Sequence, residues 1–292
     1  GLLWRLEGIE IPNPNHFSDG QGGSGGAFSV ITTNVIDNFD FFTGAFPAEY
    51  GNAYSGVMDL NLRKGNTDKR EYAFQTGMIG AEISMEGPFS KKSNASYLIN
   101  ARLTNFQFLE NLQIIDLGET NYAPRTKDLV FNINIPVRKA GNFNLFGLYG
   151  SSELGKTVVH DTTQWHSLSD QWEEMEKQST GTVGLKHLFI LPNTRTYIKT
   201  VIAYTTYTDK YYEGYVDSTY TLERSYYYTY NYPSIRFSIL GNHKLTSRHS
   251  FRAGINYNYL TANMENLRLV SEFSDISDSL WIITTTGSDG IT

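Results

Sequence analysis

The sequence predicts an all-β fold whose longer strands cross a membrane as part of a barrel. Three observations carry this prediction. Segments of roughly ten residues alternate apolar and polar side chains, which is the spacing of membrane-barrel strands. The connections between these segments are short and long in turn. Helical periodicity is nearly absent, and the chain contains no run of 18 apolar residues of the kind that forms a transmembrane helix.

Composition narrows the class of protein without deciding it. The 292 residues contain no cysteine, which excludes disulfides and thiolate metal sites. The net charge of −6 disfavours nucleic acid as a partner. Aromatic residues make up 14% of the chain, with 20 Tyr and 17 Phe, while only 40% is hydrophobic. Both a soluble β-rich protein and an outer-membrane barrel with aromatic girdles fit these values.

The first 66 residues are glycine-rich and divided into short segments. Leu2–Gly8 and Ile9–Ile11 are predicted to be short strands, and residues 12–27 to be a loop without hydrophobic periodicity. Phe28–Ile36 is a short apolar segment. Phe39–Thr43 and the alternating Val57–Leu62 are predicted to be the next strands.

From residue 70 to 264 the alternation is longer and more regular. Apolar residues occupy the odd positions of four clear strands, which lie at 97–103, 129–135, 235–239 and 251–259. Arg70–Thr76 and Ala81–Glu86 add a hairpin around a tight turn at Gly77–Gly80, which brings the count to eight or nine strands. The best helical candidate is Asp170–Lys177.

The lengths of the connections predict which end of the sheet is periplasmic and which is extracellular. Short connections fall at 87–94, 139–142, 192–194 and 241–248, and long ones at 109–126, 156–178, 210–226 and from 264 onward. Short periplasmic turns opposite long extracellular loops are typical of transmembrane barrels, and a soluble sandwich has no reason to alternate in this way.

Several segments resemble TonB-dependent outer-membrane receptors. Val35–Gly65, with Gly44, Tyr50-Gly51, Gly56 and a closing basic strand, resembles the end of the plug domain of that family. Leu6–Ile11 resembles an earlier plug strand, and the Asn- and Pro-rich Pro12–Phe17 resembles the Bacteroidetes version of the following loop. Gly80–Phe89 and Ser96–Arg102 resemble early barrel strands.

The resemblance implies a domain organisation and a location. Residues 1–66 would be the C-terminal part of the plug, and 67–292 the first strands of a barrel that has 22 strands in the family. The chain would then be a piece of a longer receptor in the bacterial outer membrane.

The resemblance also implies active uptake of a scarce nutrient that binds at the plug apex and the extracellular loops. The expected partners are TonB, acting through an N-terminal segment that this chain does not contain, outer-membrane lipids, an unknown nutrient ligand and a surface lipoprotein. Two alternatives stay open: a non-transporting structural or adhesive outer-membrane protein, and a soluble secreted carbohydrate-binding β protein. An enzyme is disfavoured because no nucleophile, acid–base pair or metal-ligand set stands out, and no cofactor is expected.

Two groups of residues are candidate ligand contacts. In the family, the loop after the early plug strand rises to the apex, so its polar and aromatic side chains could line a binding cavity; the alternative is a turn without ligand contact. Its candidates are Asn13, Asn15, His16, Phe17 and Asp19. The second group consists of aromatic residues in predicted extracellular loops, where rings can stack on flat ligands: Trp165, Trp172, Tyr211, Tyr212 and Tyr215.

Charged side chains predicted to point into the barrel are candidates for holding the plug. Arg102, Arg236 and Arg252 lie on the polar face of their strands, which favours a polar and wet plug–barrel interface. For Arg102 the expected partner is a plug acid: Asp37, Asp40 or Asp59.

Overall fold

The described residues form two β-sheets and a small hairpin, which confirms the predicted all-β fold. The computed structural model describes residues 2–18, 25–90, 94–114, 121–159, 161–192, 194–216, 218–219, 221–269 and 280–281. A four-stranded sheet, the plug sheet, is built from the first 62 residues, and a twelve-stranded sheet, the barrel sheet, follows it.

The plug sheet has the strand order β2-β1-β6-β5. The first six strands are β1 (Leu2–Leu6), β2 (Ile9–Ile11), β3 (Asn15–His16), β4 (Phe28–Ser29), β5 (Ile36–Phe42) and β6 (Gly56–Leu62). β1 and β2 form a hairpin whose turn residues Glu7 and Gly8 both have positive φ, 56° and 97°. Two-residue turns of this kind match the twist of the flanking strands. β1 and β6 run parallel, and β3 pairs with β4 apart from the sheet.

The barrel sheet is an antiparallel meander of long strands. Its strands are β7 (Glu71–Gly77), β8 (Gly80–Pro88), β9 (Ser96–Asn105), β10 (Asn121–Val137), β11 (Gly141–Lys156), β12 (Trp172–Ile190), β13 (Thr196–Val216), β14 (Leu222–Asn231), β15 (Ser234–Lys244), β16 (Ser250–Leu260), β17 (Asn263–Leu269) and β18 (Leu280–Trp281). The helical elements among the described residues are α1 (Gln107–Asn111) and three short 3₁₀ turns (Thr33–Val35, Thr162–Gln164 and Leu168–Gln171).

Four of the last strands form two interrupted rows. The first half of β13 (residues 196–205) pairs with β15, and its second half (residues 208–216) pairs with β14. β14 and β15 therefore lie end to end on either side of Tyr232-Pro233. Proline has no N–H to donate to a strand ladder, which accounts for the break. β16 and β17 repeat the pattern, and Thr261 N–H donates to Pro233 O at 3.0 Å. Among the described residues of the barrel sheet, nine strand rows precede β18, which agrees with the eight or nine strands that the sequence predicts.

The barrel sheet is apolar on its outer face. Along β13, Val201 and Ala203 are 0% and 4% exposed, whereas Ile202 and Tyr204 between and after them are 51% and 48% exposed. The inner face instead buries polar groups, including Asn100, Asn132, Asn144 and Arg236. A soluble protein would bury its apolar face, so this arrangement is that of strands that face hydrocarbon. Within the described residues, no helix combines the length and the hydropathy needed to cross a membrane.

The connections follow the predicted asymmetry with some corrections. One is that β17 (Asn263–Leu269) occupies the start of the long connection expected from 264 onward. The turn end of the sheet carries the connections 89–95, 138–140, 191–195 and 245–249, and the loop end carries 106–120 and 157–171. The long loop expected at 210–226 is mostly strand, because β13 reaches Val216 and β14 starts at Leu222. The helix expected at Asp170–Lys177 is also wrong: a 3₁₀ turn ends at Gln171, and β12 starts at Trp172.

Plug and barrel sheets share one hydrophobic cluster. Plug residues such as Leu6, Val30 and Leu60 pack in it with barrel residues such as Leu98 and Phe146. The interface is therefore less wet than expected: apolar contacts hold the plug sheet inside the concave face, and polar groups surround them.

Candidate functional site at the plug apex

The plug apex is a hairpin that rises from the plug sheet toward the loop end. β3 and β4 form its sides, with Ala27 N–H donating to His16 O at 3.0 Å and Val30 N–H to Pro14 O at 2.8 Å. Asn13 Nδ2 donates to Gly25 O at 2.7 Å, and its Oδ1 accepts from Asn15 Nδ2 at 2.8 Å. These two side chains therefore shape the hairpin, while Asp19 lies outside the described residues.

A buried ion-paired cluster joins this hairpin to the barrel sheet. Asp128 of β10 faces inward with a side chain 1% exposed, and His16 Nε2 lies 2.5 Å from its Oδ1. Arg102 of β9 reaches the other carboxylate oxygen with Nε at 2.8 Å and Nη2 at 2.6 Å. The same guanidinium donates to Ser29 O of the hairpin. Hydrogen bonds to charged groups are stronger than neutral ones, so this cluster anchors the apex.

The cluster gives His16 and Arg102 roles other than those expected. His16 is only 3% exposed, so it contacts the barrel wall instead of lining an open cavity. Arg102 pairs with a barrel acid, which corrects the expected pairing with Asp37, Asp40 or Asp59. Asp37 and Asp40 are exposed on β5.

Asp59 is held inside the plug instead. Arg5 Nη1 lies 3.8 Å from its carboxylate, and Tyr50 OH donates to it at 3.1 Å. Burial, followed by the charge of Asp59, raises the pKa of the Tyr50 phenol well above its ordinary value. Arg5 also lies over the Tyr50 ring, 4.7 Å from its centroid. These three side chains thus stabilise the plug sheet and the Tyr50-Gly51 loop against each other.

A glycine allows the close approach at this anchor. A Cβ placed on Gly150 of β11 would lie 2.3 Å from Val30 Cγ2 and 3.1 Å from His16 Cε1. Real side chains do not approach so closely, and the interior is too well packed to yield freely. Gly150 therefore lets the hairpin contact the barrel wall directly.

The apex continues into the inner wall above it. Ser18 N–H donates to Gln178 Oε1 at 3.2 Å, and Gln178 Nε2 returns a bond to Ser18 O at 3.0 Å. Beyond the apex, Phe17 packs edge-on against Phe28 with centroids 6.4 Å apart, and Phe28 lies 5.6 Å from Phe106. The top of the hairpin thus has a polar side toward β12 and an aromatic side toward the end of β9.

The wall above Gln178 carries tyrosines and acids. Tyr211 stacks on Tyr228 with centroids 5.6 Å apart, and Tyr228 stacks on Tyr230 at 4.6 Å. Their hydroxyl groups donate to carboxylates: Tyr211 to Glu213 at 2.6 Å, and Tyr228 to Asp209 at 3.4 Å. This ladder extends the concave face past the apex with hydrogen-bonding aromatic groups.

The aromatic residues expected in loops are mostly on strands. Trp172 begins β12, while Tyr211, Tyr212 and Tyr215 lie on β13. Trp172 packs edge-on against its cross-strand partner Tyr215 at 4.7 Å.

The remaining two of these aromatic side chains also make protein contacts. Tyr212 OH donates to Glu173 at 3.0 Å. Trp165 does lie in the 157–171 connection, where its indole N–H donates to Val159 O at 2.8 Å. Alternation puts Tyr211 and Tyr212 on opposite faces, so of these two residues Tyr211 belongs to the inner wall.

Further ion pairs join the plug to the barrel. The sequence predicts Arg236 and Arg252 as members of such pairs but not their partners. Glu7, in the positive-φ turn and with a side chain 1% exposed, pairs with Lys186 of β12. Three more pairs tie the plug to the wall at 2.7–3.0 Å: Glu10–Arg236, Glu49–Arg252 and Arg63–Glu86. The inward arginines were a usable signal, but the choice of partner depends on long-range register that alternation does not contain.

Comparison with solved structures identifies the fold. No protein-family model matches the chain, and no curated protein matches its sequence. The pyoverdine outer-membrane receptor FpvA from Pseudomonas aeruginosa PAO1, bound to pyoverdine, superimposes with a TM-score of 0.64 over 99% of this chain at 13% identity. The chain has the fold of a TonB-dependent outer-membrane receptor.

Two further structures show the same similarity. FpvA bound to a heterologous pyoverdine gives a TM-score of 0.61 at 12% identity over 95% of this chain, and the ferric enterobactin receptor PfeA from Pseudomonas aeruginosa gives 0.50 at 13% over 90%. The chain spans 38–44% of the length of these three structures. The plug sheet and the barrel sheet thus fit the receptor fold.

Proposed function

We propose that this chain is the plug and first barrel portion of a bacterial outer-membrane receptor that takes up a scarce nutrient with energy from TonB. Residues 1–66 form the plug part and residues 67–292 the barrel part of that proposal. The Asn-supported hairpin at Pro12–Phe17 is the feature that favours the Bacteroidetes type.

One observation carries the proposal: a folded plug sheet is held against the polar concave face of a sheet whose convex face is apolar. A barrel of the family's width leaves an aqueous lumen, so selectivity requires something to fill it. The plug fills it and is held to the wall by the shared apolar cluster together with discrete polar contacts. These contacts are the His16–Asp128 hydrogen bond and the ion pairs Glu7–Lys186, Glu10–Arg236 and Glu49–Arg252. Such contacts form when the plug is docked against the wall and are lost when the plug is displaced, so they favour two distinct positions of the plug.

In the proposed mechanism, the nutrient binds above the apex hairpin, between its aromatic top and the tyrosine wall. Phe17, Phe28 and Tyr211 are the proposed contacts on this side, and Asn13 and Asn15 shape the hairpin. Asp19 is proposed as a further ligand contact. Ligand binding can shift the plug only through its different affinity for the docked and displaced states. TonB then draws on the plug from the periplasmic side, and the wall ion pairs separate. Outer-membrane lipids surround the barrel, and a surface lipoprotein that covers the loop end is the remaining proposed partner.

A disulfide across the apex tests this mechanism in the full-length receptor. Val30 packs against Gly150, and the chain has no cysteine of its own, so Val30→Cys with Gly150→Cys gives one defined link from plug to wall within it. Cells of the source bacterium would be grown on single limiting nutrients: ferric chelates, cobalamin, glycans and peptides. Growth on one of them should require both the receptor and TonB, and should stop when the disulfide is oxidised and resume when it is reduced.

The single variant Val30→Cys is the matched control and should grow under both conditions. Growth that does not depend on TonB in any of these media would overturn the proposal of active uptake. Growth that persists with the disulfide fully formed would overturn the proposal that the apex must leave the wall.

A further inference from the structure

A group of basic side chains lies on the outer face of the barrel sheet toward the loop end. Arg125 and Lys127 are on β10, Lys177 is on β12 and Lys210 is on β13. They surround a shallow cavity of about 240 Å³ whose floor includes Tyr149 and Glu153 of β11. We call this group of four cations the basic patch. None of its members belongs to the plug anchor or to the inner wall.

The strand register sets the basic patch directly above the apolar surface. Arg125, Glu153, Lys177 and Lys210 occupy one cross-strand row. The outward row one step closer to the turn end contains Lys127 with Ser151, Ser179 and Thr208, and the next contains Leu129 and Tyr149. Below these the outward side chains are apolar, as at Phe131, Val183 and Tyr204. Each outward row is about 7 Å from the next along a strand, so the cations lie at headgroup depth.

The charge in the basic patch is not balanced within it. Four cations meet one carboxylate, Glu153, whose Oε2 lies 3.9 Å from Lys177 Nζ. The Arg125 guanidinium lies over the Tyr122 ring, 4.4 Å from its centroid, and donates to its hydroxyl at 2.7 Å. Its buried Nε has no hydrogen-bond partner among the described residues. The basic patch thus combines the guanidinium of Arg125, which Tyr122 holds in place, with three lysine side chains that can move to contact a bound anion.

We propose that the basic patch binds the phosphate groups of a phosphorylated glycolipid in the outer leaflet. A lipid fits because its acyl chains would lie along the apolar rows below while its phosphates reach the cations, an arrangement a soluble anion cannot use. Guanidinium and ammonium groups together suit phosphate, one by its planar fork and the other as a point charge. This inference rests on the outer-membrane placement proposed above, not on transport or on TonB.

Lipid binding to the purified full-length receptor tests the proposal without any transport step. The receptor would be placed in nanodiscs of neutral phosphatidylcholine containing a small fraction of diphosphorylated lipid A, and bound lipid would be counted by native mass spectrometry. The test variant is Lys127→Gln/Lys177→Gln/Lys210→Gln. The matched control removes three exposed cations at the turn end, Arg138→Gln/Lys139→Gln/Lys244→Gln. Circular dichroism, and a test of whether the protein stays folded in detergent that has not been heated, would show that both variants fold.

The test variant should bind diphosphorylated lipid roughly 100-fold more weakly, because each cation near a charged headgroup contributes about fivefold. The control should bind it like the unmodified receptor, and dephosphorylated lipid should bind poorly to all three. Equal binding by the test variant, or equal loss in the control, would overturn the proposal. Competition by millimolar inorganic phosphate would also overturn it, since the site would then recognise the soluble anion. A receptor that binds lipid here but fails the growth test would refute only the transport proposal.

Discussion

The anchor at Asp128 gives the most direct test of how the plug is held. Replacing Asp128 by Ala removes the acceptor of both His16 and Arg102, and two of these three side chains are almost fully buried. A hydrogen bond to a charged group contributes about 1.5–3 kcal/mol, and of the two contacts that Asp128 makes only the one with His16 belongs to the hairpin. Apolar contacts of Val30 stay in place. The apex hairpin should therefore open more readily by about 1.5–3 kcal/mol while the plug sheet stays folded.

Amide hydrogen exchange followed by mass spectrometry measures this opening. The relevant amides are Ala27 N–H and Val30 N–H, which bond to His16 O and Pro14 O across the hairpin. A change of 1.5–3 kcal/mol corresponds to exchange that is about 10- to 150-fold faster at these positions. Exchange in β6 should stay at the unmodified rate. The control is Asp40→Ala, which removes an exposed carboxylate of the plug and should change nothing.

The reasoning would be refuted if Asp128→Ala left the hairpin amides within about twofold of the unmodified protein. It would also be refuted if β6 exchanged as fast as the hairpin, because the cluster would then hold the whole plug and not its apex.

Three more perturbations examine separate contacts. Lys186→Met strands the buried Glu7 carboxylate and should destabilise plug docking by about 3–5 kcal/mol, read from the midpoint of plug release in urea. Gly150→Ala should cost about 1–3 kcal/mol in the same assay because Val30 must move, whereas Gly77→Ala, with open space around it, should have almost no effect. Because the folded pKa of Tyr50 is raised, its stabilising contribution is complete below about pH 10 and falls as the pH rises further; the difference in stability between the unmodified protein and Tyr50→Phe should shrink above that pH. A difference that grows with alkaline pH would contradict this assignment.

Much of the fold could be predicted from alternation because a barrel strand has two chemically different faces. In the strands at 97–103 and 129–135 one face contacts hydrocarbon and the other a polar interior. The resulting alternation of apolar and polar residues can be recognised in a single sequence. The strand extension at 210–226 could not be predicted in this way. There Tyr211 and Tyr212 face opposite sides, and both hydroxyls find carboxylates, so neither face is apolar.

The anchor residues were harder to assign than the strands. His16 was singled out in the apex loop, but its burial against Asp128 depends on a contact across 112 positions. For Arg102 the sequence predicts a partner in the plug, whereas its direct cross-strand neighbour Asp128 on β10 supplies it. Pairing across such distances is fixed by register and by the close approach at Gly150, and neither leaves a local signal in the sequence.

Site-directed spin labelling of β13 tests the central claim that the strands face hydrocarbon outside and the plug inside. The chain has no cysteine of its own, so Val201→Cys and Ile202→Cys place labels on adjacent residues of opposite faces. In the receptor reconstituted in bilayers, the label at 202 should collide readily with oxygen and poorly with a water-soluble nickel complex. The label at 201 should be immobile and shielded from both. Accessibility to the nickel complex at 202, or shielding of 202 with free access at 201, would contradict the account.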